Sequence, residues 1–150
     1  MEKILVSACL IGEKVRYDGK SKLLSHPLWQ KWQKEGRLVA VCPEVAGGLS
    51  VPRPAAEIKT LSGKTKVLTQ DGVDLSSHFA AGAAHALAIA RANNVRIAIL
   101  TDGSPSCGSS EVHDGNFSGE MLEGEGVTTA LLRKNGIKVF SHKQLDLVGE

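Results

Sequence analysis

The chain has 150 residues, of which 42% are hydrophobic and 23% charged, which suits one globular domain with a sizeable core. Its 18 basic and 16 acidic residues give a formal net charge of +2, too small to favour a nucleic acid or a membrane surface as partner. No apolar run approaches the ~20 residues of a membrane span, and the opening MEKILVSACLIG lacks the long apolar stretch of a signal peptide, so we expect one cytoplasmic domain, residues 1–150.

The first half of the chain predicts two strands, one helix and a long ordered loop. KILVSA (3–8) and RLVAV (37–41) are short apolar runs without polar alternation, which is typical of strands covered on both faces. Between them, 26–36 predicts a helix with a proline in its first turn and a glycine at its end. Residues 43–74 are rich in proline and glycine and predict an ordered loop, with a small hairpin in KVLTQDGVDL that turns near Asp71-Gly72.

The second half repeats the alternation of helix and strand. Alanine and leucine dominate 75–93, which predicts a long helix, and RIAIL (96–100) follows as a third strand. A helix within 123–136 precedes the strand IKVF (137–140), and a short helix is expected around 142–148. Strands alternating with helices predict an α/β, single-domain, three-layer sandwich with a mainly parallel sheet.

The three cysteines occupy similar places relative to the predicted strands. Cys9 and Cys42 directly follow the first two strands, and Cys107 lies a few residues beyond the third. Ligands of open parallel sheets bind outside the carboxyl ends of the strands, so we expect all three thiols at that edge. An odd number of cysteines in a cytoplasmic chain argues against a disulfide framework.

Three thiols on convergent small-residue loops favour a soft metal. The residues alone leave open a zinc ion with three ligands, an iron–sulfur cluster with one iron free, or cysteines that are only small packed residues. A cysteine nucleophile assisted by a histidine is a further alternative. The five histidines are scattered, and His78 and His85, seven apart on the long predicted helix, are expected to be surface or packing residues.

Four composite motifs carry a family resemblance. VSACLIG followed by RYDG, VCPEVAGGLSVPRPAAEI, SPSCG, and DGNFSG followed by GVTTALLR occur in order over about residues 3–140. With these motifs the chain resembles the thiouracil desulfurases, a bacterial family.

The resemblance implies an oxygen-sensitive 4Fe-4S cluster held by Cys9, Cys42 and Cys107, with one iron free of protein ligands. It implies non-redox conversion of 2-thiouracil to uracil, with the sulfur taken up by the open iron and released as hydrogen sulfide. Glu44 and Ser104 are the implied catalytic residues. This chemistry is reasonable, because a soft thiocarbonyl sulfur prefers iron to a hard cation, and a carboxylate near the cluster can activate water or relay protons.

Other residues of the motifs have two possible roles each. Arg16, Tyr17 and Asp18 are candidates for the pocket, or for a turn held by an Arg–Asp pair. Arg53 is a candidate for binding substrate or shielding the cluster, or for a salt bridge to Glu57. The remaining candidates lie in DGNFSG: a phenylalanine that stacks on a base or packs in the core, and two neighbours that offer hydrogen bonds, namely Phe117, Ser118 and Gly119.

Two stretches depart from the family pattern. Thr101, Asp102 and Gly103 precede SPSC where the pattern has Lys or Ser, and HDG at 113–115 stands where the pattern has YDG. We expect these differences at the pocket rim, where they affect the choice of substrate more than the cluster.

Three competing functions accompany the desulfurase. The same cluster would serve a sulfur carrier or a tRNA-thiolation partner, although a tRNA binder needs a broad basic face. A zinc-binding module would have no turnover, and a cysteine-nucleophile enzyme would keep its activity without metal. The expected partner is a small thiolated base, with no membrane and nucleic acid disfavoured, and the oligomeric state stays open.

Overall fold

The computed structural model describes residues 2–148, and in chain order it contains twelve helices and strands with two 3₁₀ turns. The helices and strands are β1 (Ile4–Ser7), α1 (Pro27–Lys34), β2 (Leu38–Val41), α2 (Pro43–Ala46), β3 (Ala56–Leu61), β4 (Lys64–Thr69), α3 (Ser76–Ala92), β5 (Ile97–Leu100), β6 (Glu111–His113), β7 (Met121–Glu123), α4 (Val127–Lys134) and β8 (Lys138–Ser141). The 3₁₀ turns are Ala8–Ile11 and Leu145–Leu147.

Four strands form one parallel sheet in the order β2-β1-β5-β8. The strand order reverses between β1 and β5, because the chain moves outward to β2 and then returns across β1. Such a reversal opens a crevice beyond the carboxyl ends of the two central strands, where α/β proteins bind ligands. The predicted α/β fold with a mainly parallel sheet is therefore confirmed.

Both faces of the sheet are covered, which explains why its strands show no polar alternation. One face packs on the indoles of α1, with Trp29 and Trp32 buried against Ile4, Val6 and Ile99. The other face packs on α3 and α4, through a cluster that includes Leu5, Ala86, Ala90, Leu100, Leu132 and Val139. Among residues 2–148, none of the helices combines the length and apolar character needed to cross a bilayer.

The segment 43–74 is more structured than predicted. It begins with the short helix α2 and continues as the antiparallel hairpin β3–β4, which turns at Ser62-Gly63. Both turn residues have positive φ, 51° and 76°, as the tight turn of a two-residue hairpin requires. The turn predicted near Asp71-Gly72 is also present: it leads the chain back along β4, where Leu68 and Asp74 form an antiparallel bridge. The small hairpin expected in KVLTQDGVDL is therefore confirmed, as a single bridge, and the longer hairpin β3–β4 precedes it.

Two further differences concern short elements. The expected C-terminal helix is only the 3₁₀ turn Leu145–Leu147 within the predicted range 142–148. A second small hairpin, β6–β7, pairs Glu111–His113 with Met121–Glu123 and was not predicted. Three-residue strands carry too few residues for an alternating pattern to be visible, and they depend on neighbouring elements for their stability.

Candidate active site at the carboxyl edge of the sheet

The loops beyond the carboxyl ends of the strands enclose a cavity of about 410 Å³. All five residues singled out as ligands or catalytic groups line it: Cys9, Cys42, Glu44, Ser104 and Cys107. The predicted gathering of the three thiols at one sheet edge is therefore confirmed, and no disulfide joins them. Their roles as ligands, and those of Glu44 and Ser104 in catalysis, stay predictions.

Cys9 lies in the 3₁₀ turn that follows β1 and is 5% exposed. The turn ends at Gly12, whose φ of 98° reverses the chain, and the Cys9 carbonyl accepts hydrogen bonds from the backbone amides of Gly12 and Lys22. Burial, reinforced by Cys42, raises the pKa of the Cys9 thiol to about 11, although the nearby cations Arg16 and Lys22 oppose the shift.

Cys42 precedes α2 and is positioned by very close packing of that helix on α3. A Cβ atom at Gly82 of α3 would overlap the Pro43 carbonyl, and one at Gly47 would overlap the His78 carbonyl. The His78 ring is also hydrogen-bonded to the Gly47 carbonyl, with 2.8 Å between Nδ1 and O. The glycine in the alanine-rich helix thus has a packing role, because it admits the backbone of the segment that carries Cys42.

Cys107 is held by the start of α4. Gly126 at the N-terminus of α4 lies against Ser106 and Cys107 so closely that a Cβ atom there would overlap the Ser106 backbone. Thr129 of α4 donates a hydrogen bond to the Cys107 carbonyl at 2.9 Å, and the Ser106 and Thr128 hydroxyls are 2.7 Å apart. Burial raises the pKa of the Cys107 thiol well above its ordinary value.

Glu44 is the centre of a hydrogen-bonded chain across the cavity. Its Oε1 accepts from Nε of the buried Arg53 at 3.2 Å, and its Oε2 accepts from the Ser104 hydroxyl at 3.4 Å. Arg53 donates further hydrogen bonds to the carbonyls of Ser50 and Val15, so its guanidinium has a fixed position. Arg53 pairs with Glu44, and among the described residues it makes no ion pair with Glu57.

The Ser104 hydroxyl also organises the loop of Cys107. It accepts hydrogen bonds from the backbone amides of Ser106, at 3.0 Å, and Cys107, at 3.1 Å. Because those amides occupy the acceptor side of the oxygen, the hydroxyl proton is directed to Glu44. Ser104 therefore links the carboxylate to the backbone of a thiol-bearing loop.

Asp102 and His142, which also line the cavity, hold the same loop in place. Oδ1 of Asp102 accepts hydrogen bonds from four backbone amides, and its Oδ2 accepts from the Ser110 hydroxyl. Burial alone would raise the pKa of Asp102, but these hydrogen bonds together lower it. Burial and the charges of Lys22 and Lys143 lower the pKa of His142 to about 4, so its Nδ1 is free to accept the Asp102 amide at 3.3 Å.

A second part of the cavity is formed by β3 and the loop that follows β6. Glu57 of β3 is 8% exposed and lines the cavity, and its Oε1 accepts hydrogen bonds from the amides of Gly115 and Phe117. Gly115 lies so close to β3 that a Cβ atom there would be 2.6 Å from the Ile58 carbonyl oxygen. His113, at the departure from the family pattern, also lines the cavity.

The remaining candidates divide between the cavity and local structure. Arg16 and Tyr17 line the cavity, whereas Asp18 accepts a hydrogen bond from the Lys20 amide within a turn. Phe117 is half-buried with φ of 54°, and it is not among the residues that line the cavity. Ser118 donates to Asp114 at 2.6 Å, which ties it to its own loop.

Sequence reasoning missed several residues that line the cavity: Lys22, Glu111, Met121, His142 and Lys143. They lie on loops and short strands away from the cysteine motifs, and no spacing pattern connects them. A weak signal was present in TDG at 101–103, because an aspartate before glycine often accepts hydrogen bonds from the backbone of a turn.

The spacing of donors bears on what this cavity holds. Among residues 2–148, no three Cys, His, Asp or Glu side chains are arranged to bind one metal ion. A single zinc ion needs its ligands within about 2.0–2.3 Å of the same point, whereas a cluster accepts each thiolate on a different iron. Three soft thiols on separate loops, beside the cations Arg16, Lys22 and Arg53, fit the donor set of a cluster that takes each thiolate on a different iron.

Comparison with known proteins agrees with this geometry. The family model described as 2-thiouracil desulfurase matches residues 4–144. The chain is 41% identical to the uncharacterized protein YbbK of Bacillus subtilis (strain 168) over 152 aligned positions, covering 95% of this chain and 97% of that protein.

A solved structure is similar over the same length. The structure of the [4Fe-4S]-dependent thiouracil desulfidase TudS superposes with a TM-score of 0.93 at 49% identity, covering 99% of this chain and 95% of that one. The matched span, the identities and the shared fold lead to one conclusion: the chain belongs to the 2-thiouracil desulfurase family.

Proposed function

We propose that this enzyme removes sulfur from a thiolated nucleobase, converting 2-thiouracil and water to uracil and hydrogen sulfide, with a 4Fe-4S cluster as cofactor. The observation that carries the proposal is one cavity lined by three thiols together with Glu44 and Ser104. The similarity to a [4Fe-4S]-dependent thiouracil desulfidase supports both the cofactor and the substrate class. We further propose that residues 1–150 act as one domain.

Cys9, Cys42 and Cys107 are the proposed ligands, each on a different iron, which leaves one iron without a protein ligand. When bound, the cluster supplies a soft Lewis acid for the thiocarbonyl sulfur. The cations beside the thiols offset the negative charge that three thiolates bring into a buried site.

Glu44 is the proposed general base. Replacing C=S by C=O requires a water oxygen to bond to the ring carbon while the C–S bond breaks, and two protons to move from water to sulfur. Glu44 accepts the first proton from the attacking water and returns it to the leaving sulfur, and it then carries the second proton from the new hydroxyl to the sulfur as the C–S bond breaks and C=O forms, so atoms and charge balance. Arg53 keeps the carboxylate in place, with 3.2 Å between Nε and Oε1.

Ser104 is the proposed partner of Glu44. Its hydroxyl is 3.4 Å from Oε2 of Glu44, and both side chains line the cavity. A hydroxyl at this position orients the attacking water relative to the carboxylate. Because Ser104 also binds the amide of Cys107, the water site and a proposed ligand are held by the same side chain.

Two competing functions are less well supported. A cysteine nucleophile needs an imidazole within reach, and among the described residues no histidine is hydrogen-bonded to a cysteine. A single zinc ion is less well supported, because the similar solved structure is that of a [4Fe-4S]-dependent enzyme. The sulfur carrier shares the cavity and the cluster, and only turnover distinguishes it from the desulfurase.

The test uses protein purified and reconstituted without oxygen. We expect about four irons and four sulfides per chain, with 2-thiouracil absorbance falling as uracil and hydrogen sulfide appear in equal amounts. A full cluster without turnover would favour the sulfur carrier. Zinc at about one per chain without acid-labile sulfide would favour the zinc module and contradict the proposal.

A further inference from the structure

Two of the carboxylates that line the cavity, those of Glu44 and Glu57, lie in contrasting surroundings. Both oxygens of Glu44 have partners, the Arg53 guanidinium and the Ser104 hydroxyl. Glu57 is more deeply buried, and among the described residues no cation lies within ion-pair distance of it. A buried carboxylate without a counter-charge is costly unless hydrogen bonds compensate for the lost water.

The hydrogen bonds of Glu57 satisfy only one side of its carboxylate. Oε1 accepts from the amide of Gly115 at 3.0 Å and from that of Phe117 at 3.1 Å. Oε2 has no hydrogen-bond partner among the described residues. It is not one of the completely buried polar atoms that lack a partner, so part of its surface is accessible. Since Glu57 lines the cavity, this second oxygen is an open acceptor there.

The surroundings of Glu57 keep that acceptor in a constant position. Phe117 adopts φ of 54°, unusual for a residue other than glycine, and this directs its amide to Oε1 together with that of Gly115. The carboxylate is thus immobilised by the loop before any substrate arrives. An immobilised acceptor recognises a donor at low entropic cost.

We propose that Glu57 is the specificity-determining residue for the base: its Oε2 accepts a hydrogen bond from a ring N–H of the thiolated substrate. This inference rests on the proposed function, because the substrate class comes from it. A thiolated pyrimidine with a free N–H beside its thiocarbonyl offers the required donor, and a base methylated at that nitrogen does not. Glu57 contributes to binding, whereas Glu44 contributes to proton transfer.

The variant Glu57→Gln changes one property of this contact. Its amide oxygen must face the amides of Gly115 and Phe117, because the NH₂ group cannot accept from them. The NH₂ group then faces the cavity. There it places a hydrogen-bond donor against the ring N–H of the base, which is also a donor. We expect KM for 2-thiouracil to rise about 10- to 100-fold with a smaller change in kcat, as for loss of a hydrogen bond to a charged group.

Glu120→Gln is the matched control, since it removes the same charge from an exposed residue near β7 that does not line the cavity.

A second measurement needs no variant. We expect the wild-type holoenzyme to discriminate against one of the two N-methylated 2-thiouracils, at N1 or N3, by about 10-fold or more in kcat/KM. Glu57→Gln should lose most of that discrimination.

The outcomes separate this inference from the proposed function. If the wild type converts 2-thiouracil but Glu57→Gln keeps its KM, or both methylated bases react like the parent, the inference is overturned while the desulfurase stands. If the wild type converts no thiobase, calorimetry with uracil still tests the inference. If Glu57→Gln binds uracil more weakly than the wild type does, the inference is supported. If the two proteins bind uracil equally well, or if the wild type does not bind it, the inference is overturned.

Discussion

Two walls of the cavity are built in different ways. The thiol wall consists of the loops after β1, β2 and β5, and it carries the cysteines, Glu44 and Ser104. Its segments are fixed by backbone contacts so close that only glycine fits, at Gly82 under α2 and at Gly126 beside Cys107. The hairpin wall consists of β3 and the loop 113–119, which also meet closely at Gly115 but are joined in addition by a side chain, the carboxylate of Glu57.

The difference in construction matches a difference in proposed task. Cluster ligands and a proton-transferring pair tolerate displacements of only about 0.5 Å, which backbone-to-backbone packing can enforce. Recognition of a base needs one well-placed hydrogen-bond acceptor, and the rest of the surface around it can vary in shape. Changes in the thiol wall are therefore expected to abolish the cofactor or the rate, and changes in the hairpin wall to alter KM and selectivity.

The largest effect is expected from removing a proposed ligand. Cys9→Ala, Cys42→Ala and Cys107→Ala should each lose the cluster, because two thiolates cannot hold it against exchange with solvent. Iron and acid-labile sulfide per chain, measured after reconstitution, should fall close to zero, and circular dichroism should show that the fold persists. Full iron and sulfide in Cys9→Ala would show that the proposed ligand set is wrong.

Glu44→Gln should separate rate from cofactor. The variant keeps the size of the side chain but cannot accept a proton, so turnover should fall about 100- to 10,000-fold while iron content stays at the wild-type value. Glu13→Gln, an exposed change near the Cys9 turn, is the control. A wild-type rate in Glu44→Gln would remove Glu44 from the mechanism.

Gly82→Ala tests whether the close packing of α2 matters. A methyl group there overlaps the Pro43 carbonyl, so α2 must shift with Cys42 and Glu44, at a cost of about 1–3 kcal/mol in the free energy of unfolding. Both stability and turnover should decrease. Ala84→Gly, on the exposed side of the same helix, should cost about 1 kcal/mol without affecting turnover. Equal turnover in the two variants would contradict this account.

Ser104→Ala should have a moderate effect on both loop and rate. It leaves the amides of Ser106 and Cys107 without their acceptor, which should lower the free energy of unfolding by up to about 1–3 kcal/mol for each amide. Turnover should fall about 10-fold or more, since Glu44 loses its partner. Ser104→Thr restores a hydroxyl and should recover part of both losses. If Ser104→Ala loses stability but keeps the wild-type turnover, Ser104 has only a structural role.

The smallest effect is expected from pH. His142 has a pKa of about 4 in the folded chain against 6.5 ordinarily, so below pH 6.5 the unfolded chain binds a proton that the folded chain does not. Stability should therefore fall as the pH drops from 6.5 to 4, and His142 should add no further dependence outside that window. His142→Asn keeps an acceptor for the Asp102 amide and should flatten this part of the stability curve, whereas exposed His85→Asn should not.

Much of the thiol wall could be predicted from the sequence, because its residues lie next to the strand ends in the chain. A cysteine directly after a buried strand lies at the strand's carboxyl end, and parallel strands bring those ends together. The family motifs supplied the proposed roles of Glu44 and Ser104. The hairpin wall was harder to predict, because β6 and β7 are three residues long and Glu57 acts through amides 58 and 60 residues away.

By itself, the sequence determined the α/β class, the gathering of three thiols at one edge and the family. These depend on hydrophobic periodicity and on residues adjacent to strand ends. Only the tertiary structure decided that Arg53 pairs with Glu44 rather than Glu57, that Gly82 admits the backbone of α2, and that Glu57 keeps one oxygen open to the cavity. Partners and close approaches of this kind join distant segments, and no local pattern encodes which of several side chains will meet.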